Sequence, residues 1–239
     1  MRGCCRSRRW PTPDPAFAMR GVNADKAALK RVGEIVRRRL GSDPSVHKVP
    51  AQGAEIFAVG AFLQPSECAR LMTMIDDVAR PSSVFEPEKG GKKYRTSYSG
   101  DVDPREPFVR MIERRLCDLL GLDIAWGETV QGQRYAPGQE FRAHYDWFDT
   151  DAGWWPAESK RGGQRSFTAM AYLNDVEEGG ETVFDRLGVS IAPQAGALLV
   201  WNNARPDGLP NIEVRHAGAP VVRGTKYVIT KWFRTRRWS

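Results

Sequence analysis

The apolar residues in the first half of the chain recur three or four positions apart in three segments, the spacing of one helix face. The first helix is predicted within residues 24–40 and stops at Gly41, with a basic opposite face whose partner surface the pattern leaves open. The second begins at Pro65, and the third begins at Pro104 and ends at Gly121. The apolar faces are Ala28, Val32, Ile35, Val36 and Leu40; Cys68, Leu71, Met72, Ile75 and Val78; and Phe108, Ile112, Leu116, Leu119 and Leu120.

After Gly127 the helical spacing gives way to short runs rich in β-branched and aromatic residues, separated by Gly, Pro, Asn and Asp. The runs are ETVQGQRY, SFTAMAYL, ETVF, ALLVWN, IEVRHAG and KYVITKWF, and an earlier strand, EIFAV, begins at Glu55. This spacing is typical of a β-sandwich or barrel. We therefore predict an α+β fold: a double-stranded β-helix, or jelly roll, with packing helices from the N-terminal half.

Three regions are predicted along the chain. Residues 1–22 mix prolines with arginines and are expected to form a disordered basic tail, because they cannot bury enough apolar surface to fold alone. Residues 23–54 form the amphipathic basic helix and a linker. Residues 55–236 form one domain, with helical support over 55–126 and the jelly-roll core over 127–236.

The net charge of +7 suggests nucleic-acid binding until it is divided along the chain. Residues 1–40 hold 11 Lys and Arg against 3 acidic residues, or +8, which leaves the other 199 residues at 25 against 26, or −1. A solvated basic arm is the simpler interpretation, and an anionic partner such as nucleic acid stays open. Met19 is an alternative start that would remove the arginine-rich leader.

Composition also narrows the cellular setting. No uncharged apolar run reaches 18 residues, and the N-terminus lacks the continuous apolar stretch of a secretory signal. The four cysteines show neither metal-ligand spacing nor the pattern of a disulfide framework. We expect a protein with no membrane partner that is located in the cytoplasm. The oligomeric state is not readable.

Two of the three histidines suggest a metal site. His144 and Asp146 are two residues apart, so in an extended strand both side chains point to one face, and His216 follows 72 positions later in a predicted strand. Two imidazoles and one carboxylate form the ligand set of non-haem Fe(II) oxygenases and also suit Zn(II) in a hydrolase. A His-x-Asp triplet arises by chance in roughly one such chain in five, so context must decide.

Three blocks supply that context. They are RYAPGQEFRAHYDWF (Arg134 to Phe148), QRSFTAMAYLNDVEEGGETVF (Gln164 to Phe184) and RHAGAPVVRGTKYVITKWFR (Arg215 to Arg234). With them the chain resembles the prolyl 4-hydroxylase family of 2-oxoglutarate- and Fe(II)-dependent dioxygenases over most of residues 55–236. The resemblance implies that Fe(II), 2-oxoglutarate and O2 take part, with L-ascorbate a further candidate cofactor.

The resemblance also assigns roles to six residues. His144, Asp146 and His216 would bind Fe(II), and Lys226 would pair with the far carboxylate of 2-oxoglutarate; Tyr135 and Thr182 would line the cosubstrate pocket. A lysine beside a hairpin turn, a core tyrosine and a β-branched strand residue are the structural alternatives for the last three.

The implied reaction is hydroxylation of a C–H bond, with a prolyl residue in a peptide or protein as substrate and succinate and CO2 as coproducts. Many relatives carry tyrosine where this chain has Phe141, which weakens the substrate assignment. Hydroxylation of a free amino acid or another side chain, and a catalytically silent jelly-roll binding protein with a basic arm, stay open. Residues Tyr94 to Ser97 resemble the start of the family's substrate-covering loop, and Asp149 to Gly163, with Trp154 and Trp155, form a candidate second rim.

Overall fold

The computed structural model describes residues 25–82 and 94–239. The predicted basic tail and residues 83–93, between the second and third predicted helices, lie outside these residues. The described helices are α1 (Lys26–Gly41), α2 (Pro65–Val78), α3 (Pro107–Leu120) and α4 (Trp155–Arg161). None of the helices in the described ranges has the length and hydropathy that a membrane span requires.

The helices begin and end largely where the sequence signals stand. Helix α2 begins at Pro65, and α3 ends at Gly121, which adopts the left-handed conformation with φ 68°. The predicted start of α3 at Pro104 was wrong, because the backbone N–H of Glu106 donates to Asp103 O (3.1 Å) and closes a turn first. Helix α4 was not predicted, since seven residues are too few to show a helical period.

The described chain contains fourteen strands. In chain order they are β1 (Val46–Lys48), β2 (Ile56–Val59), β3 (Arg80–Pro81), β4 (Tyr98–Asp101), β5 (Gln131–Tyr135), β6 (Phe141–His144), β7 (Arg165–Tyr172), β8 (Glu178–Gly179), β9 (Thr182–Phe184), β10 (Val189–Ile191), β11 (Leu198–Asn202), β12 (His216–Gly218), β13 (Val221–Arg223) and β14 (Lys226–Arg234). The predicted strand IEVRHAG is split: Ile212–Val214 is a 3-10 turn, and β12 begins at His216.

Two antiparallel sheets form the jelly roll. The larger has the order β1-β2-β11-β7-β14-β5-β4-β3, and the smaller has the order β10-β9-β12-β6. Strands β13 and β8 form a separate two-stranded pair. The fold class predicted from the sequence is confirmed, and the N-terminal half contributes four strands to the larger sheet as well as its helices.

Both faces of the larger sheet are buried along its central strands β11, β7 and β14. One face packs against α1, α2 and α3, and its residues include Phe57, Phe167, Ala169, Leu198, Val200, Ile229 and Phe233. The other packs toward the smaller sheet through Ile56, Tyr135, Met170, Tyr172, Leu199, Trp201 and Val228, joined by Phe184 from β9. Helix α1, whose partner the sequence left open, inserts Val32, Val36 and Leu40 into the helix-side core.

Candidate metal centre

His144 and His216 face each other across two strands of the smaller sheet. They are register partners in the antiparallel pair β6 and β12, and their ring centroids are 4.3 Å apart. Asp146 follows β6 in a bend, with its carboxylate oxygens 3.8 Å from His144 Nε2 and 3.7 Å from His216 Nε2. One donor atom from each residue lies within 4.8 Å of the others. The three predicted ligands therefore converge.

Each imidazole is held by a backbone carbonyl. The Nδ1 atom of His144 lies 2.8 Å from Arg142 O, and that of His216 lies 3.0 Å from Val214 O. A carbonyl only accepts, so each ring carries its hydrogen on Nδ1 and keeps the lone pair of Nε2 for a metal. The rings are thus fixed in the tautomer that a metal site requires.

Asp146 is oriented by a chain of hydrogen bonds that the sequence did not indicate. The hydroxyl of Thr168, on β7, donates to Asp146 Oδ2 (2.6 Å), and the amide of Asn203 donates to the same hydroxyl (3.0 Å). All three residues are buried. A ligating carboxylate held in this way keeps its second oxygen in a fixed direction.

The electrostatics of the three ligands suit a divalent cation. Burial, and then the neighbouring His216, lower the pKa of His144 to about 3, so its imidazole is neutral at pH 7. Burial alone would raise the pKa of Asp146, but the nearby His216 and His144 outweigh it and keep the pKa below its ordinary value. Neutral imidazole and ionised carboxylate are the protonation states that bind metals.

Aromatic rings pack around the two imidazoles. Phe141 stacks on His144, with centroids 3.6 Å apart and planes 16° apart, and Trp201 lies edge-on to His216 at 4.8 Å. The position where this chain departs from the family's tyrosine is therefore in direct contact with a metal ligand.

Lys226 is a buried cation beside the metal-binding strands. It is 3% exposed, and its Nζ donates to Gly180 O (2.7 Å) and lies 5.5 Å from the ring centroid of Tyr135 and 5.4 Å from that of Tyr172. A Cβ added to Gly218, on the strand of His216, would lie 4.0 Å from this Nζ. Burial lowers the pKa of Lys226 to about 7. No carboxylate in the described ranges forms a salt bridge with it, so the site suits an incoming anion.

Tyr135 and Thr182 both belong to the walls around Lys226, although their hydroxyls have protein partners. Tyr135 is the register partner of Lys226 on β5, and its hydroxyl donates to Gln133 Oε1 (2.8 Å). Thr182 is buried on β9, and its Oγ1 accepts from the hydroxyl of Tyr172 (2.6 Å). Sequence reasoning missed Tyr172, because nothing distinguishes it from the other apolar residues of β7.

One candidate rim segment, Tyr94 to Ser97, contacts the strand of the first histidine. The guanidinium of Arg95 lies 4.7 Å from the ring centroid of Phe141, and Tyr94 donates its hydroxyl to Ala143 O. Arg95 is 8% exposed and donates to Ser97 Oγ (2.9 Å). This segment thus covers one side of the stacked pair formed by Phe141 and His144.

The second rim segment is held by aromatic contacts. The rings of Trp154 and Trp155 have their centroids 5.4 Å and 6.5 Å from that of Phe148. Both tryptophans are half-buried rather than fully exposed, and Phe148 is buried.

Two imidazoles and a carboxylate on a double-stranded β-helix define a mononuclear metal centre of the oxygenase class. Comparison with known proteins agrees: residues 130–234 match the model of the 2OG-Fe(II) oxygenase superfamily. The chain is 34% identical to probable prolyl 4-hydroxylase 3 of Arabidopsis thaliana over 74% of its own length and 68% of the relative's. It is also 34% identical to prolyl 4-hydroxylase subunit alpha-1 of Gallus gallus, but over only 33% of that longer protein.

A solved structure adds the fold. The 2OG complex of the viral collagen prolyl hydroxylase from Paramecium Bursaria Chlorella virus-1 superposes with a TM-score of 0.59 and 30% identity, covering 75% of this chain and 95% of the viral one. The chain therefore belongs to the prolyl 4-hydroxylase family of 2-oxoglutarate- and Fe(II)-dependent dioxygenases. The three-ligand cluster fits Fe(II), and the buried lysine fits a dicarboxylate cosubstrate.

Proposed function

We propose that the chain hydroxylates prolyl residues of a peptide or protein, with 2-oxoglutarate and O2 consumed and succinate and CO2 released. The observation that carries the proposal is a buried lysine with no salt-bridge partner in the described ranges, beside the strands and the bend that bring two histidines and an aspartate together. The sequence relatives are named as prolyl 4-hydroxylases, and the viral structure is named as a collagen prolyl hydroxylase.

In this proposal His144, Asp146 and His216 would hold Fe(II). Iron bound there would supply the activation of O2 that is coupled to decarboxylation of 2-oxoglutarate. The residues themselves contribute geometry. The carbonyls of Arg142 and Val214 fix the rings, and the chain from Asn203 through Thr168 fixes the carboxylate.

The cosubstrate role falls to the pocket around Lys226. Its ammonium binds the far carboxylate of 2-oxoglutarate, because a buried anion requires a cation at short range. Tyr135, Tyr172 and Thr182 form the adjoining wall, and their apolar surfaces exclude water from the ion pair.

The peptide is expected to bind over Phe141 and the rim segment of Tyr94 and Arg95. Phe141 has no hydroxyl, and its ring is stacked on His144 with the Arg95 guanidinium over it, so prolyl recognition on this side relies on contact with apolar and cationic groups. Hydroxylation of a free amino acid or of another side chain is the alternative that this departure from the family favours.

The experiment measures succinate formed from 2-oxoglutarate with Fe(II) and O2, in the presence of proline-rich peptides or of free amino acids. Wild type is expected to form succinate in excess of His144→Ala, most strongly with the peptides, and mass spectrometry is expected to find a peptide heavier by one oxygen. Succinate formation equal to that of His144→Ala under every condition would refute the dioxygenase function. Stimulation by free amino acids alone would refute the prolyl substrate.

Four sequence-based expectations stay predictions. They are the assignment of residues 55–236 as the dioxygenase domain, L-ascorbate as a further candidate cofactor, a location in the cytoplasm, and a solvated basic arm for which nucleic acid stays open as a partner. Deleting residues 1–22 is expected to leave succinate formation intact, because the metal and lysine sites lie entirely in the described part of the chain.

A further inference from the structure

Helix α1 lies outside the residues matched by the family model, yet its first turn contacts the segment that carries Asp146. Leu29 is 2% exposed and forms a small apolar cluster with Trp147 and Ala204. Trp147 directly follows Asp146 in the chain. The apolar residues further along α1 pack elsewhere, in the core shared with α2 and α3. The helix therefore has one end against the metal-binding segment and the other against the structural core.

Asp25 precedes α1, where an aspartate commonly caps its own helix. Its carboxylate makes no such cap bond. Instead Oδ2 accepts from the backbone N–H of Gln164 (2.7 Å) and from the hydroxyl of Thr235 (3.1 Å), and Oδ1 pairs with Arg236 (2.7 Å). Asp25 is 5% exposed. The helix forgoes a local cap so that this carboxylate can bind the segment before β7.

Gln164, whose backbone N–H is bound by Asp25, connects α1 to the segment that carries Asp146. Its side chain is fully buried and accepts from the N–H of Phe148 while donating to the carbonyl of Phe148, both at 2.8 Å. Both backbone groups of the residue two positions after Asp146 are thus clamped. The approach requires Gly163, which has φ 76° and where a Cβ would lie 2.5 Å from Asp25 Oδ2.

A second contact of α1 reaches the strand behind the metal site. Arg37 pairs with Glu55, and Glu55 Oε2 accepts from the amide of Asn202 (2.8 Å). The next residue, Asn203, begins the hydrogen-bond chain to Asp146. Helix α1 thus contacts residues next to both groups that hold Asp146 in place: the Gln164 clamp on Phe148 and the hydrogen-bond chain from Asn203 through Thr168.

We propose that α1 is a positioning element of the metal centre, with Asp25 and Leu29 as its positioning residues; the inference rests on the proposed function, in which Asp146 is a metal ligand. The physical reason is the location of Asp146 beyond the end of β6. Residues 145–147 lie in no strand and lack the ladder hydrogen bonds that hold His144 and His216. Contacts other than ladder hydrogen bonds of its own segment must therefore fix the carboxylate, and Thr168 supplies only one of them.

The test is the affinity for Mn(II), used as a probe that binds without turnover and measured by isothermal titration calorimetry. Leu29→Ala is compared with Leu40→Ala, which removes the same side chain from the other end of α1. Both variants are expected to lower Tm, but only Leu29→Ala is expected to raise the Kd for Mn(II), by about tenfold, the size typical of groups that orient metal ligands. Leu40→Ala is expected to stay within about twofold of wild type.

Asp25→Asn is the isosteric second variant, which decides the matter if Leu29→Ala does not fold. It is expected to raise the Kd for Mn(II) by about tenfold, whereas Glu34→Gln, an exposed acid on the same helix, leaves it unchanged. Equal Kd values for Leu29→Ala and Leu40→Ala, or a wild-type Kd for Asp25→Asn, would overturn the positioning role alone. Failure of wild type to bind Mn(II), or unchanged binding by Asp146→Ala, would overturn the proposed metal site itself.

Discussion

Binding of 2-oxoglutarate is expected to draw a proton onto Lys226. Burial of this ammonium lowers its pKa from the ordinary 10.5 to about 7. The negative charge of Glu181 raises this pKa, but by less than burial lowers it. A carboxylate placed beside the ammonium supplies the opposing charge that burial alone lacks, so the pKa returns toward its ordinary value when the cosubstrate binds.

The magnitude follows from this shift. At pH 8 a lysine of pKa 7 is about one-tenth protonated, so each 2-oxoglutarate bound takes up about 0.9 proton. At pH 6 the lysine is already about nine-tenths protonated, and the uptake falls to about 0.1 proton. Because the lysine must be protonated on binding at pH 8, the apparent Kd for 2-oxoglutarate is expected to be about tenfold higher at pH 8 than at pH 6, which corresponds to about 1.4 kcal/mol.

The assay is isothermal titration calorimetry of 2-oxoglutarate into the Mn(II)-loaded protein at pH 8, in buffers of different ionisation enthalpy. The slope of observed enthalpy against buffer ionisation enthalpy counts the protons. Lys226→Met, which keeps the length of the side chain without the charge, is the control and is expected to show weaker binding with a slope near zero. A slope near zero for wild type, or equal affinity at pH 6 and pH 8, would refute the reasoning.

Three further predictions concern the same region. The pKa of Lys226 is lower in the folded than in the unfolded chain, so its contribution to stability rises as the pH goes from about 7 to 10.5. In the absence of 2-oxoglutarate, Lys226→Met should therefore stabilise the protein by up to about 4 kcal/mol at pH 7. Calorimetric unfolding should find that this gain in stability shrinks toward pH 10. Thr168→Val removes the hydrogen bond to Asp146 and is expected to raise the Kd for Mn(II) about tenfold; a change below twofold would contradict the orienting role. Thr182→Val leaves the buried hydroxyl of Tyr172 without its nearest acceptor and should cost about 1–3 kcal/mol in urea unfolding, whereas an unchanged midpoint would show that this bond contributes nothing.

The sequence was sufficient for the elements whose own residues carry a clear period or a long apolar run. Strands β7, β11 and β14 were predicted because their runs are rich in apolar, β-branched and aromatic residues, and α2 was predicted because its apolar face and Pro65 agree. Strands β1, β3, β4, β6, β8, β10 and β13 were not among the predicted runs. They have two to four residues each, too few to show a pattern against their turns.

The candidate ligands were equally accessible, since histidine is rare here and His144 and Asp146 are neighbours in the chain. Their chemistry followed from residue type, which also singled out His216, and the family resemblance added Lys226. What sequence could not show was the support of these residues. Thr168, Asn203, Gln164 and Asp25 are ordinary polar residues whose importance comes only from the atoms they meet.

The sequence by itself thus determined the types of element, the jelly-roll class and which residues are the candidate metal ligands and cosubstrate lysine. Only the tertiary structure decided that His144 and His216 are register partners, that Lys226 is buried without a salt-bridge partner in the described ranges, and that α1 contacts the segment after Asp146. The physical reason is the distance along the chain over which each kind of information acts. Periodicity and residue type act over a few neighbouring positions, whereas register, burial and charge pairing depend on contacts between residues far apart in the chain.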